Sequence, residues 1–336
     1  MKHLFPAVLP AGALLLLAPI VAEFLLGDFT VRQLGFVAFF IPQYGGGALL
    51  VRELARRWRR GWPTILLLAL AYALIEEGLT TQSLFNPNYA HERLLDYGYI
   101  EALGTSLNWA VFVLTLHVVW SIGSAVALAE GLSGGRWHLP WLGSRGLIVT
   151  AVVYALGCGL TVVSTYVTYP FTASPSQLGT VVVLASATVY AAFRMFSGPP
   201  ARRRGSVPSA WIVAATSFVL CSAFHLLDDH GHGHGLPAGL TLTGMLALEA
   251  TAVALFSIWA RREGWTPQHP LAAASGAILT YGWVGLTRMI GNGATALGVP
   301  TTTTDNIGQA LLLAMMIGLI GIGARRLDRD VTLAPR

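Results

Sequence analysis

The chain has 336 residues, of which 54% are hydrophobic and only 11% charged. Soluble domains usually carry about 25% charged residues, so an ordinary soluble enzyme is excluded. The formal net charge of +5 does not form a basic face. The positives sit in short clusters between apolar runs, which argues for membrane loops and against nucleic acid as a partner.

In chain order, the N-terminus has a basic start and an apolar centre, as a signal peptide would. It lacks a small-x-small cleavage site before Glu23 and is long enough to span, so a retained helix over 7–27 is expected. Apolar runs of about 20 residues, the length that crosses a bilayer, follow at 33–54, 62–82, 106–130, 146–168, 177–197, 209–228, 239–260, 270–290 and 306–325. No strand-like alternation competes, and lipid admits only helices or closed barrels. The expected fold is all-α, a polytopic transmembrane helical bundle of about ten spanning helices forming one integral membrane domain over 1–336. The segment 197–208 (SGPPARRRGSVP) reads as a hinge between six-helix and four-helix halves. Cys158 and Cys221 both lie inside apolar runs, so no disulfide framework is expected.

The loop charges orient the bundle. Arg52, Arg56, Arg57, Arg59 and Arg60 follow the second run. Arg136 and Arg145 follow the fourth, Arg202, Arg203 and Arg204 the sixth, Arg261 and Arg262 the eighth, and Arg325, Arg326 and Arg329 the tenth. Odd-numbered connections hold few basics, Arg32 and Arg93 being the exceptions. Lys and Arg favour the cytoplasmic side, which predicts a multi-pass protein of the cell membrane with both termini inside. Two outer connections stand out. Residues 83–105 read as a membrane-surface segment, and 229–238 (DHGHGHGLPA) as a solvated loop of metal-capturing composition.

Ionisable residues inside a span cost several kcal/mol each and normally face a partner, water or the bundle interior. At about 1.5 Å rise per residue, Glu76 lies roughly 21 Å above Trp62. That is about 9 Å below the outer surface of a ~30 Å hydrocarbon core. His117 on the descending fourth span and His225 on the seventh fall at roughly 14 Å and 8 Å below the same surface. Asp228 and Asp229 follow His225 at i+3 and i+4, on its face of the helix. Glu76 and Glu77, His117, and His225 with Asp229 thus occupy one outer-leaflet layer. Imidazole and carboxylate suit zinc or another divalent metal, and catalytic zinc keeps three protein ligands plus water. Glu76 and Glu77 are the expected catalytic pair, with His117, His225 and Asp229 as metal ligands. Asp228, Glu249 and Arg288 are supporting polar residues, with structural pairing expected for Glu249 and Arg288. Glu23 is read as reaching the interface, and Tyr44-Gly45-Gly46-Gly47 as a close helix approach.

The same residues can also staple helices by hydrogen bonds or relay protons and ions. An intramembrane hydrolase, a transporter of a small solute or metal ion, and a structural membrane subunit therefore all stay open. The partners expected are the lipid bilayer and a membrane or peptide substrate.

The pair Glu76-Glu77, then His117, then His225-Leu226-Leu227-Asp228-Asp229, in that order on three helices, resembles the CAAX-protease and bacteriocin-processing family of intramembrane metalloproteases. The resemblance implies that Glu76 activates water while Glu77, His117, His225 and Asp229 complete the metal or oxyanion surroundings. The family's Arg after the Glu pair is Thr81 here, and Phe112 precedes His117 by five residues instead of four. The block YGGGALLVRELARR…EEGLTTQSLFNP also resembles a pattern recurring in uncharacterised bacterial multi-pass membrane proteins.

Overall fold

The computed structural model of the protein describes residues 5–196 and 203–333. Ten helical stretches match the ten apolar runs one for one. Helix α1 is Phe5–Pro19, running on as Ile20–Leu25. Then come α2 (Val31–Arg57), α3 (Trp62–Thr80), α4 (Leu107–Arg136), α5 (Ser144–Thr168) and α6 (Pro175–Arg194). The remainder are α7 (Ala210–His234), α8 (Ala238–Ala260), α9 (Gln268–Leu286, continued by Thr287–Gly291) and α10 (Thr303–Leu333). Strands β1 (Tyr99–Ile100) and β2 (Thr105–Ser106) pair antiparallel in a short hairpin. The chain is an all-α polytopic bundle.

Eight helices, α2 to α8 and α10, are long and apolar enough to cross a membrane. The two that fall short of that measure lie at the centre. Two-thirds of the apolar windows of α3 and α4 are buried, against 6% for α5 and 11% for α8. Helix α9 packs along α7 and α10 and against α4 and α1, burying Ala272, Ala274, Ser275, Gly276 and Ala277. A helix wrapped by protein instead of lipid needs small side chains for close approach more than it needs uniform apolarity. Helix α1 obeys the same logic, with Leu14, Ala18, Val21 and Leu25 fully buried.

Helix α2 makes one such close approach at Gly45. A Cβ there would stand 2.4 Å from the Leu15 carbonyl oxygen of α1. Within the predicted tight contact at 44–47, Gly45 is thus backbone against backbone, while Gly47 meets the Tyr72 ring.

One expectation about the loop arginines is corrected. Arg52 and Arg56 belong to helix α2, and both are buried. Arg52 pairs with Glu53 at 2.5 Å and with Glu130 of α4 at 3.1 Å, while Arg56 grips Glu130 at 2.6 Å. The Arg52 guanidinium lies 3.5 Å from the ring centroid of Trp141, and Glu53 accepts from the Trp141 and Leu142 backbone amides. Two positive and two negative charges cancel, so the cluster locks α2 and α4 to the loop before α5.

The His-rich segment is also corrected. Helix α7 continues through His234 and is not a free loop from 229. The Tyr97 hydroxyl donates to the Leu236 carbonyl and pairs with Thr241, and a side chain at Gly231 would collide with both hydroxyls. Residues 83–105 form an anchored cap, with Ser83, Leu84, Asn86 and Leu95 buried. Of the predicted hinge, 197–202 lie outside the described residues. Beyond it, Arg203 bonds through its backbone to Arg261 and Glu263, and Arg262 donates to the Ser206 carbonyl.

Gly45→Ala is expected to lower stability by about 1–3 kcal/mol through overpacking. Gly159→Ala, with open space at its Cβ, should be neutral. Thermal unfolding of the two purified variants in detergent checks this.

Candidate functional site

Five π-helical segments occur among the described residues, and each holds a polar side chain that contacts a neighbouring segment. Ile20–Leu25 carries Glu23, Ile41–Gly45 carries Gln43 and Tyr44, and Glu76–Thr80 opens with Glu76 and Glu77. His117–Ser124 holds His117 and Ser121, and Thr287–Gly291 holds Arg288. A π turn inserts one residue into the α-helical register, rotates the following side chains and frees a backbone carbonyl, and it recurs at functional sites. Here hydroxyls take up the loosened backbone. Thr80 and Thr81 both donate to the Glu76 carbonyl at 2.7 and 3.0 Å, and Ser124 donates to Val119.

These turns bring Glu76, Glu77 and His117 together, with ligand atoms all within 4.8 Å of one another. His117 Nε2 lies 2.6 Å from Glu77 Oε1, and Nδ1 lies 3.1 Å from Ser121 Oγ and 3.4 Å from Glu76 Oε2. Glu77 Oε2 accepts from Ser83 and from Thr81, the latter at 3.2 Å. Ser83 is held in turn by the Trp109 indole N–H. Glu77 is thus fully satisfied. Glu76 differs: its Oε2 is buried and accepts no hydrogen bond, although the Tyr44 and Tyr72 phenols face the carboxylate. Both tyrosine rings also pack on the His117 imidazole, centroids 5.9 Å away.

Glu23 belongs to this assembly, which its sequence position near a helix end did not reveal. It contacts Tyr44 and interacts electrostatically with Glu76, His117 and Asp28. Its approach depends on the π turn of α1, which no hydrophobic period announces. Arg288 pairs with Asp28 at 3.3 Å and bonds to the Leu26 carbonyl, so it ties α9 to α1. Glu249 accepts from Thr115, joining α8 to α4.

His225 lies elsewhere. It is buried among Phe112, Trp120, Phe224 and Tyr281, with ring centroids 5.0 to 6.3 Å away, and its Nε2 has no partner. It is not among the mutually close ligand atoms of the centre, and Asp229 is exposed while Asp228 is half-buried. The common depth inferred along the helix axes does not fix which way each side chain points around its helix.

Two cavities lie beside the centre. A cavity of about 190 Å³ is bounded by Thr80, Thr81 and Gln82 at the end of α3, by Val162, Thr165, Tyr166 and Tyr169 along and just after α5, and by Phe171 and Thr172. It shares Phe171 and Thr172 with a cavity of about 590 Å³ under the 83–105 cap. Gln82 adopts the left-handed conformation (φ 55°), an uncommon state for a side-chain-bearing residue. Its side chain accepts from the Ala173 amide at 2.7 Å, pinning the cavity wall.

The two carboxylates should respond oppositely to neutralisation. Glu77→Gln weakens charge-assisted bonds to His117, Ser83 and Thr81 and is expected to cost about 1–3 kcal/mol. Glu76→Gln neutralises a buried carboxylate one of whose oxygens accepts no hydrogen bond, and should be neutral or stabilising. Equal melting temperatures for the two variants would contradict this division of labour.

No curated protein and no solved structure matches the chain. A family model described as an uncharacterized membrane protein family matches residues 13–328. The chain belongs to that uncharacterized membrane protein family.

Proposed function

We infer that the protein is an intramembrane metal-dependent hydrolase whose reaction centre is Glu76, Glu77 and His117. The observation that carries this reading is the donor set itself: three ligand atoms within 4.8 Å of one another, with one carboxylate oxygen buried and unbonded. A tetrahedral ion held at about 2 Å places neighbouring ligand atoms about 3.3 Å apart. The His117–Glu77 pair, at 2.6 Å, has to part by about 0.7 Å on that geometry.

A divalent ion bound there supplies Lewis acidity and lowers the pKa of a coordinated water. The chain does the rest. Ser83 and Thr81 hold Glu77, and Ser121 holds the far nitrogen of His117, fixing both as ligands together with one oxygen of Glu76. The remaining Glu76 oxygen takes a proton from the attacking water. The water oxygen bonds to the electrophilic carbon, the bond to the leaving group breaks, and Glu76 returns the proton to that group. Tyr44 and Tyr72 wall the centre and exclude bulk water.

The order Glu76-Glu77 then His117 is what supports the likeness to the intramembrane metalloproteases. His225 and Asp229 are outside the ligand set on this reading. A second reading, cation or proton translocation, rests on the continuation of the polar layer through Glu23 to Asp28 and Arg288, whose side chains are 22% and 29% exposed. Against it, the other ends of α2 and α4 are filled by the paired Arg52, Glu53, Arg56 and Glu130.

Elemental analysis of purified protein dialysed against zinc is expected to give about one ion per chain, and far less in Glu76→Gln and His117→Ala. A wild type without stoichiometric metal under those conditions sinks the hydrolase reading. A metal or pH gradient dissipated by proteoliposomes of wild type but not of Glu23→Gln would favour translocation.

We place the centre near the outer face, both termini being cytoplasmic by the arginine pattern. In a background lacking Cys158 and Cys221, Glu101→Cys should react with a membrane-impermeant maleimide in intact cells. Arg145→Cys should react only after permeabilisation. The reverse pattern inverts the topology.

A further inference from the structure

The two cavities beside the centre say what kind of molecule it serves, given the hydrolase reading above. The inner cavity is lined by Thr80, Thr81, Thr165, Thr172, Tyr166 and Tyr169, with Gln82, Val162 and Phe171 completing the wall. None of them is an acidic or basic residue. The outer cavity contains Arg93 and Asp96, but they form a bidentate pair at 2.8 and 3.0 Å, so their charges cancel. Its other walls include Phe85, Leu95, Tyr99 and Phe171.

Access is lateral as well as from the outer cap. Val162 and Tyr166 on the inner cavity wall are 37% and 56% exposed, and their α5 neighbours Val163 and Val167 are 62% and 73% exposed. That face of α5 is apolar and unpacked, as expected where a helix meets lipid chains. The cavity therefore borders the bilayer. On its opposite wall Thr81 donates to Glu77, so one side chain separates the cavity from the reaction centre.

The polarity of the walls selects the occupant. An anionic headgroup would bring a further negative charge toward Glu76 and Glu77 with no arginine or lysine in the inner wall to meet it, an uncompensated burial. A hydroxyl, ester or amide head finds hydroxyl partners there, and its chain finds Val162, Phe171 and the lipid-facing side of α5.

We propose that the cavity between the end of α3 and α5 binds the uncharged head of a membrane lipid, of the acyl ester or amide class, and presents it to Glu76, Glu77 and His117.

The test uses the full-length protein in phosphatidylcholine nanodiscs with a photoreactive monoacylglycerol, followed by mass-spectrometric mapping. Labelling is expected within residues 80–82 and 162–172. Excess diacylglycerol should compete, whereas phosphatidylglycerol, a cationic alkylammonium amphiphile and a hydrophobic helical peptide should not. Thr165→Trp, which fills the inner cavity, should reduce labelling at least tenfold. Thr172→Trp, at the junction of the two cavities, guards against misfolding of the first variant. Both variants should keep the wild-type zinc content and melting temperature, so loss of labelling with zinc retained is separate from failure of the metal centre. Labelling spread evenly over lipid-facing helices, or undiminished in both tryptophan variants, overturns the proposal. So does equal competition by the anionic, cationic or peptide probe.

Discussion

A carboxylate taken out of water costs several kcal/mol unless the protein returns what the solvent gave it. In a bundle that is 11% charged, the few ionised groups therefore dictate how helices face one another. The structure meets the cost in two different ways at two levels. Arg52, Glu53, Arg56 and Glu130 form a neutral cluster with nearly every polar atom bonded, capped by tryptophan rings. At the other level Glu76, Glu77 and His117 form an assembly whose carboxylates outnumber its cations, and one oxygen is left unbonded. The first is a closed lock. The second leaves a buried oxygen without a hydrogen-bond partner, which is rare in a folded protein.

The backbone follows this distinction. Around the arginine cluster the end of α2 is regular α-helix. Around the acidic assembly all the contributing helices lapse into π turns. A π turn sacrifices regular hydrogen bonding, which in a membrane is tolerable only where neighbouring hydroxyls re-satisfy the carbonyls. Thr80, Thr81 and Ser124 do so. The irregularity is thus supported from close by, and its effect is to turn side chains from four helices toward one point.

Close packing makes this possible. Gly45 lets α2 press onto the backbone of α1, bringing Tyr44 against Glu23 and over His117. The small residues of α9 perform the same service on the other side, where the Trp120 indole donates to the Ala277 carbonyl and its ring stacks on Tyr281. His225 is enclosed by that aromatic layer, one step removed from the carboxylates.

Much of the fold was legible in the sequence because it depends on hydropathy, which is a local property. Runs of twenty apolar residues form helices in lipid whatever their neighbours, so all ten appeared, although α4, α7 and α10 run six to eight residues past the expected ends. Glu76, Glu77 and His117 were legible for a related reason, since an ionisable residue in an apolar run is costly wherever it points. What the sequence could not decide was azimuth. Rise per residue gave His225 a depth close to that of His117, but not the direction of its side chain, which lies among aromatic rings and outside the Glu76, Glu77 and His117 group. The same limit hid Glu23, which its position near a helix end made look interfacial. It hid Arg52 and Arg56 too, which look like loop charges until Glu53 and Glu130 are seen to claim them. Composition and the apolar runs determined that this chain is a membrane helical bundle with costly charges buried in it. Only the tertiary structure decided which charges cancel and which gather around His117, because that depends on helix rotation and close packing that no single segment encodes.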